Sequence, residues 1–277
     1  MSGADTAGAL TDRQRREIEY HRDYAARQAA ERVRPVNFDV VDKGPRRPTN
    51  AFWSTYDLLL AHDWKGKRAL APGCGFGEDA SRLARLGAEV HAFDISPEIV
   101  DIAKARNEGF GYGVADYRVA ACENLPYEDN FFDLVFVVDI LHHVDIPKSV
   151  AEFRRVLKPG GRIIGDELYT HSFVQRRIRE SAIVDKGLYP LMKKFIYGGK
   201  EPYITEDEHK IDEDEFSHVE SACDPFRAQW FNAFVGRIAP DRFATLSAFD
   251  RALMRALGPR GRYFAGRVVF EGVVAKR

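Results

Sequence analysis

The stretch RALAPGCGFGEDA, residues 68–80, decides the fold class of this chain. In it a short apolar run leads into three glycines at every second position, Gly73, Gly75 and Gly77, and a helix-like segment follows. Glycine lets backbone approach a ligand closely, and the first N–H groups of a helix have no partner within the helix. A second apolar run ends at Asp94, whose carboxylate can accept both hydroxyls of a ribose. The pattern predicts a nucleoside-containing cofactor at the carboxyl ends of a parallel sheet.

The spacing of the glycines distinguishes between nucleotide cofactors. A dinucleotide fingerprint reads G-x-G-x-x-G, and its third glycine packs beneath a pyrophosphate. Here the spacing is G-x-G-x-G, and Glu78 stands where that third glycine would fall. A carboxylate at this place disfavours the pyrophosphate of NAD but not a ligand without phosphate. No G-K-[ST] follows, which excludes a Walker loop. Taken alone, the turn also fits a plain strand-to-helix connection.

Two downstream segments extend the pattern beyond the turn. They are CENLPYEDNFFDLVFVVDILHHV, residues 122–144, and EFRRVLKPGGRIIGDEL, residues 152–168. Together with the glycine turn and Asp94, they resemble the class I S-adenosylmethionine-dependent methyltransferases in both order and spacing. The chain is most similar to the branch that contains quinone-pathway and other small-molecule enzymes, and the resemblance covers about residues 64–168.

The resemblance implies which residues hold S-adenosylmethionine, with S-adenosylhomocysteine as the product. The glycine turn would cradle the methionine part, Asp94 the ribose and Ile95 one face of the adenine, while the Cys122 region would border the adenine edge. The residues assigned to the cofactor in this way are Gly73, Cys74, Gly75, Gly77, Asp94, Ile95, Cys122, Glu123 and Asp139.

Two positions depart from the family pattern. Ala71, followed by Pro72, stands where family members usually have an acidic residue for the amino group of the cofactor. Ala121 stands where an aspartate often binds the adenine amino group. Each lost charge-assisted hydrogen bond costs about 1.5–3 kcal/mol, which leaves the affinity for the cofactor open.

Methyl transfer from a sulfonium needs positioning, exclusion of water and, for a protonated acceptor, a base. The candidates for catalysis follow the fourth strand: Asp139, His142 and His143. His142 is slightly favoured over His143, and a structural role stays open for either histidine. The candidates for substrate binding are Tyr20, His21, Tyr24, Asp166 and Glu167. A metal is not expected, because it would need three converging ligands.

Alternating strand and helix signals predict an α/β fold, a doubly wound, mostly parallel seven-stranded sheet of the Rossmann-like methyltransferase type. Residues 1–50 are predicted to form a tail and a helical lid, and residues 51–168 the cofactor-binding core. Residues 169–259 are predicted to form a mostly helical substrate cap. Residues 260–277 are predicted to supply the final strand, with a bulge near Gly272.

Composition narrows the possible partners. The 277 residues carry a net charge of −1, which argues against broad binding of nucleic acid or anionic membranes. Three scattered cysteines suit a reducing compartment, and neither a signal peptide nor an apolar run long enough to span a bilayer is evident. We expect a cytoplasmic protein that acts on a small molecule; a homodimer is left open.

The favoured function is methyl transfer to an oxygen or carbon of a small-molecule metabolite. A non-catalytic S-adenosylmethionine-binding or regulatory protein is one alternative, supported by Ala71 and Ala121. An N-methyltransferase is another, although enzymes that methylate nucleobase amino groups usually follow the fourth strand with Asn/Asp-Pro-Pro-aromatic, and here the sequence is DILH. An NAD oxidoreductase is disfavoured by Glu78.

Overall fold

The computed structural model describes residues 10–28, 33–42, 47, 50–179, 181, 211–234 and 243–275. Within them, one sheet contains seven strands. The strands are β1 (Arg68–Pro72), β2 (Glu89–Asp94), β3 (Asp116–Val119), β4 (Phe132–Val138), β5 (Leu157–Leu168), β6 (Cys223–Phe231) and β7 (Arg267–Val274). Their order across the sheet is β3-β2-β1-β4-β5-β7-β6.

Helices flank this sheet. The described helices are α1 (Asp12–Arg27), α2 (Ala51–Leu60), α3 (Glu78–Arg85), α4 (Pro97–Phe110), α5 (Ile146–Val156), α6 (Phe173–Arg179), α7 (Glu213–Ser221) and α8 (Ala244–Leu257). Two 3-10 turns, Leu141–His143 and Gly258–Tyr263, add to them. None of the described helices combines the length and the apolar character that a membrane span requires.

Strand direction brings the chemistry to one edge of the sheet. β1 pairs in parallel with β2 and β4, β2 with β3, and β4 with β5. β7 runs antiparallel to both β5 and β6, so its first residue, Arg267, lies opposite Leu168 at the carboxyl end of β5. The predicted fold, a mostly parallel seven-stranded sheet, is confirmed.

Capping residues begin two of these helices. Thr11 accepts a hydrogen bond from the backbone N–H of Gln14 and completes a capping box at the start of α1. Ser96 caps α4, and Pro97 occupies its first position. Apolar side chains then fill two core clusters, which contain for example Phe153 and Phe270 in one and Tyr56 and Leu83 in the other.

The region predicted as mostly helical, residues 169–259, also contains a strand that the sequence analysis did not identify, β6. Cys223–Phe231 forms an edge strand, because β7 has an edge to pair with and this pairing outweighs local helical preference. Phe226, Ala228 and Trp230 recur at every second residue and pack against one core cluster, which is strand periodicity. Residues 182–210 and 235–242 of the predicted cap lie outside the described residues, and the predicted domain limits stay predictions.

The last strand, β7, is shorter than the predicted residues 260–277, because the 3-10 turn Gly258–Tyr263 occupies the beginning of that range. The predicted bulge near Gly272 has a counterpart on the neighbouring strand. The β6–β7 register shifts between Cys223 and Phe226, where Phe226 pairs with Gly272. A Cβ atom on Gly272 would lie 2.5 Å from the Cβ of Cys223, so this crossing requires glycine.

Candidate cofactor and active site

In the glycine turn after β1, one glycine allows close packing within the protein and another leaves space open beside the backbone. Gly73 has φ +59°, and a Cβ there would lie 2.5 Å from Cδ1 of Ile140, so the turn packs closely against the end of β4. Gly75 has φ +49°, and a Cβ there would meet nothing within 4 Å. The turn is fixed to β2 by the N–H of Cys74, which donates to the carbonyl of Phe93 at 2.8 Å. The backbone at Gly75, termed the glycine ledge, therefore faces open space.

Asp94 ends β2 directly beside this ledge. Its Oδ2 accepts from the N–H of Gly75 and its Oδ1 from the N–H of Ser96, both at 3.1 Å. The side chain is buried, and burial raises its pKa, although His21 and the backbone donors act in the opposite direction. A carboxylate held by backbone beside an open glycine ledge fits the ribose of a nucleoside cofactor.

Glu78, the residue that replaces a dinucleotide glycine, starts α3 and is held by arginines. Its carboxylate accepts from Arg82 at 3.3 Å and from Arg106 at 3.2 Å. Arg106 is almost fully buried and also donates to the carbonyls of Arg34 and Phe76. The helix start therefore already has its anionic partner, which leaves it unsuited to a pyrophosphate.

The N-terminal helix α1 lies over this site. Arg13 donates to Glu123 at 2.7 Å and Gln14 donates to the same carboxylate at 3.2 Å. Tyr24 stacks on Phe76 of the glycine turn, with 5.6 Å between ring centroids. The face that docks is thus partly polar, because Gln14 is buried.

A carboxylate of α1 links two histidines at the site. Glu17 is buried, and its Oε1 lies 3.2 Å from Nδ1 of His143, while its Oε2 lies 3.5 Å from Nε2 of His21. Burial alone would raise the pKa of Glu17, but both histidines hold it far below its usual value. The pKa of His21 is raised, because Glu17 and Asp94 outweigh burial. His21 thus connects α1 electrostatically to the ribose-site aspartate.

Glu167, at the carboxyl end of β5, positions His142. It has no exposed surface, and its Oε1 lies 2.5 Å from Nδ1 of His142. Its Oε2 accepts from the N–H groups of Ile140 and Leu141, at 3.0 and 2.7 Å. Burial alone would raise the pKa of Glu167, but His142 and the backbone N–H groups of Leu168 and Leu141 lower it below its usual value. The carboxylate therefore stays charged and fixes the orientation of the His142 ring.

Arg267 joins the ends of β4 and β5. Its Nη2 donates to Asp139 at 2.6 Å and its Nε donates to Asp166 at 2.9 Å. Asp139 has φ +49°, a strained conformation for this residue type. Burial raises the pKa of Asp166 to about 6, with Arg267 opposing and Asp139 contributing. A half-buried cation therefore lies between two acidic side chains.

Three of these groups could also converge on a metal. Ligand atoms of Asp139, His142 and Glu167 lie within 4.8 Å of one another. Each already has a partner, because Asp139 accepts from Arg267, and Glu167 pairs with His142 and with backbone N–H groups.

The structure brings several of the predicted site residues together at the carboxyl edge of the sheet. Asp139, His142, Asp166 and Glu167 adjoin, while Tyr24 stacks on the glycine turn and Tyr20 contacts His21 edge-on. Cys122 is buried, Ile95 half-buried, and Glu123 serves as an anchor for α1 and for the N–H of Asp145.

Glu17 and Arg267 were missed from the sequence. Arg267 could have been found from the antiparallel direction of the last strand, which starts it at the ligand edge. Glu17 had no comparable signal.

Comparisons with known proteins agree with this geometry. Residues 70–165 match the family model described as "Methyltransferase domain". Over 124 residues the chain is 38% identical to the ubiquinone biosynthesis O-methyltransferase of Xanthomonas oryzae pv. oryzae strain PXO99A, covering 43% of this chain and 52% of that protein. The corresponding protein of Xylella fastidiosa strain 9a5c is 39% identical, covering 43% and 50%. The chain thus spans about half the length of the curated relatives it matches.

Solved structures share the fold over more of the chain. A putative sarcosine dimethylglycine methyltransferase from Galdieria sulphuraria superposes with a TM-score of 0.52 at 16% identity, covering 91% of this chain and 97% of that one. The YcgJ protein from Bacillus subtilis superposes with a TM-score of 0.50 at 18% identity, covering 81% and 99%. The family match therefore covers residues 70–165, and the solved structures share the fold over most of the chain.

Proposed function

We propose that the chain transfers a methyl group from S-adenosylmethionine to an oxygen of a small-molecule metabolite. The observation that supports this most is the Glu167–His142 pair, a positioned imidazole at the edge where the glycine ledge and Asp94 also lie. The curated relatives named as O-methyltransferases match only through about half their length. The proposed activity and the proposed oxygen acceptor therefore depend on this geometry as well as on the similarity.

The cofactor site fits S-adenosylmethionine through its shape and its donors. Asp94 would accept the ribose hydroxyls, and the ledge at Gly75 would receive the methionine part, since a side chain there would occupy that space. When bound, the cofactor supplies an electrophilic methyl group on a sulfonium. Ala71 and Ala121 contribute no charged group, so the affinity rests on Asp94 and on backbone contacts.

His142 would accept the proton of the acceptor hydroxyl. Its Nδ1 faces Glu167, which fixes the ring and stabilises the imidazolium that forms when the opposite nitrogen takes the proton. His143 is directed to Glu17 on α1 instead, which suits a role in closing the site. Burial of His142 and Glu167 excludes water from the proton-accepting pair.

Three finer expectations accompany this proposal. A reducing, cytoplasmic location agrees with Cys74, Cys122 and Cys223, which are all unpaired thiols. Metal-independent activity agrees with Arg267 beside Asp139 and Asp166. A homodimer remains a prediction that light scattering of the purified protein would test.

The experiment incubates the protein with S-adenosylmethionine and a panel of phenols, catechols and aliphatic alcohols, with and without EDTA. S-adenosylhomocysteine and a methylated product, seen by mass spectrometry, are expected in both arms. Loss of product with EDTA would contradict metal independence. Cofactor binding without turnover across the panel, extended to carbon and amine acceptors, would contradict the enzyme and support a regulatory protein. Product from an amine alone would favour the N-methyltransferase.

A further inference from the structure

A cavity lies beside the edge strand β6, away from the edge of the sheet where the cofactor is proposed to bind. It has a volume of about 470 Å³ and lies between β6, α8 and the 3-10 turn Gly258–Tyr263. Phe226, Trp230 and Met254 supply an apolar wall. The volume is within the range of small-molecule sites, which pair such a wall with a few polar groups.

Arginines supply the polar part of this cavity. Arg251, Arg255 and Arg262 line it, and among the described lining residues the one carboxylate is that of Glu220. Glu220 lies 3.7 Å from Arg262 and so offsets one positive charge at most. Two net positive charges therefore surround a partly apolar space.

Arg251 is the most telling of the three. It is only 7% exposed, and its Nη1 and Nη2 donate to two neutral acceptors, the carbonyl of Trp230 at 3.1 Å and Oε1 of Gln229 at 2.6 Å. Its Nε is buried and has no hydrogen-bond partner among the described residues. A buried guanidinium whose hydrogen bonds are all to neutral groups is costly, because the charge has lost its water.

The surrounding charges do not remove this cost. Burial and Arg255 lower the pKa of Arg251 to about 10, although Asp250 acts in the opposite direction. One oxygen of Asp250 accepts from the N–H of Phe234 at 3.1 Å. Nε of Arg262 is also buried, and no described residue accepts a hydrogen bond from it, so two arginines of the cavity each have one such donor. The uncompensated charge of Arg251 and these two arginine donors favour an anionic ligand in the cavity.

We propose that this cavity, termed the β6 site, binds a small organic anion that has a carboxylate or phosphate group on an apolar body. The oxyanion would pair with Arg251 and Arg255, and the apolar body would contact Phe226 and Trp230. The proposal goes beyond methyl transfer. In the sheet β6 is five strand positions from β2, about 24 Å at the usual strand spacing, so the β6 site is separate from the ribose site.

The test titrates benzoate into the full-length protein by calorimetry, with inorganic phosphate in a second arm and chloride at matched ionic strength as the blank. Saturable benzoate binding is expected, with weaker binding of phosphate, which lacks the apolar body. Arg255→Ala should weaken benzoate binding about tenfold, as expected for one lost charge-assisted hydrogen bond. Arg260→Ala, an exposed arginine of the same turn outside the cavity lining, is the matched control and should change nothing.

Arg251→Gln should abolish benzoate binding, and Arg255→Ala keeps the test decisive if that variant does not fold. In ¹⁵N-labelled protein, benzoate should shift the Nε–H resonance of Arg251. No saturable binding, or equal binding by wild type and Arg255→Ala, would overturn the proposal. If phosphate bound as tightly as benzoate, the proposed contact between an apolar part of the ligand and the cavity wall would be contradicted. The affinity for S-adenosylmethionine is measured in parallel and should be the same in Arg255→Ala, so failure here is distinct from failure of the proposed methyl transfer.

Discussion

The carboxyl ends of β2 and β5 each present a buried carboxylate, and they are built in different ways. At β2, Asp94 is held by backbone N–H groups from the adjoining turn and helix start. At β5, Glu167 pairs with a histidine, and Asp166 pairs with Arg267, which lies 101 residues further along the chain. The proposed cofactor side therefore depends on local backbone, and the proposed acceptor side depends on charges that the fold brings together. Variants of the two sides should fail differently.

His142→Ala should give the largest effect, a loss of turnover of about 10²–10⁴-fold, because a positioned general base contributes that much. The affinity for S-adenosylmethionine should stay unchanged, since Asp94 and the glycine ledge are untouched. Steady-state kinetics and cofactor titration measure the two quantities. His143→Ala is the matched control and should lose much less; an equal loss in both would remove the special role of His142.

Arg267→Met should destabilise the protein by about 3 kcal/mol at pH 8, because it leaves Asp166 and Asp139 without their cation. Asp166 has a raised pKa, so its charge costs stability as pH rises from its unfolded pKa through about 6. The loss should therefore be smaller at pH 5, and thermal unfolding at both pH values measures it.

Arg227→Met is the control for that variant. It removes an exposed partner of Glu271 on the neighbouring strand and should cost about 1 kcal/mol or less. A pH-independent loss in Arg267→Met would show that packing, not the Asp166 charge, sets the effect.

Asp94→Ala should weaken the binding of S-adenosylmethionine about 10–100-fold, the cost of charge-assisted hydrogen bonds to the ribose. Calorimetric titration measures it, and turnover at saturating cofactor should fall far less than in His142→Ala. Asp101→Asn, an exposed carboxylate on α4, serves as the control. Unchanged affinity in Asp94→Ala would contradict the ribose assignment.

The attachment of α1 should weaken as pH rises from 6 to 9. His21 has a raised pKa, so its pairing with Glu17 is present below the unfolded pKa and is lost as pH passes the raised value. Hydrogen exchange in α1, corrected for the intrinsic rate, should rise about threefold. Glu17→Gln should remove this pH dependence and the exposed Glu19→Gln should retain it. Identical pH profiles in both variants would contradict the link.

The sequence predicts the features that depend on nearby residues and misses those that depend on residues far apart in the chain. The elements from β1 to β5 and the role of the glycine turn are set by nearby residues, so their pattern is visible in residues 68–168. The strand at Cys223–Phe231 depends on pairing with β7 and the contact of Arg13 with Glu123 joins residues 110 apart, so neither has a local signal. Glu167 was predicted as a substrate ligand; its contact with His142 required the fold.

The most direct test is a calorimetric titration of the purified protein with S-adenosylmethionine. Saturable one-to-one binding with a Kd below about 1 mM is expected, despite Ala71 and Ala121, because Asp94 and the ledge at Gly75 remain. Absence of binding up to that concentration would contradict the assignment of the glycine turn, and with it the proposed methyl transfer.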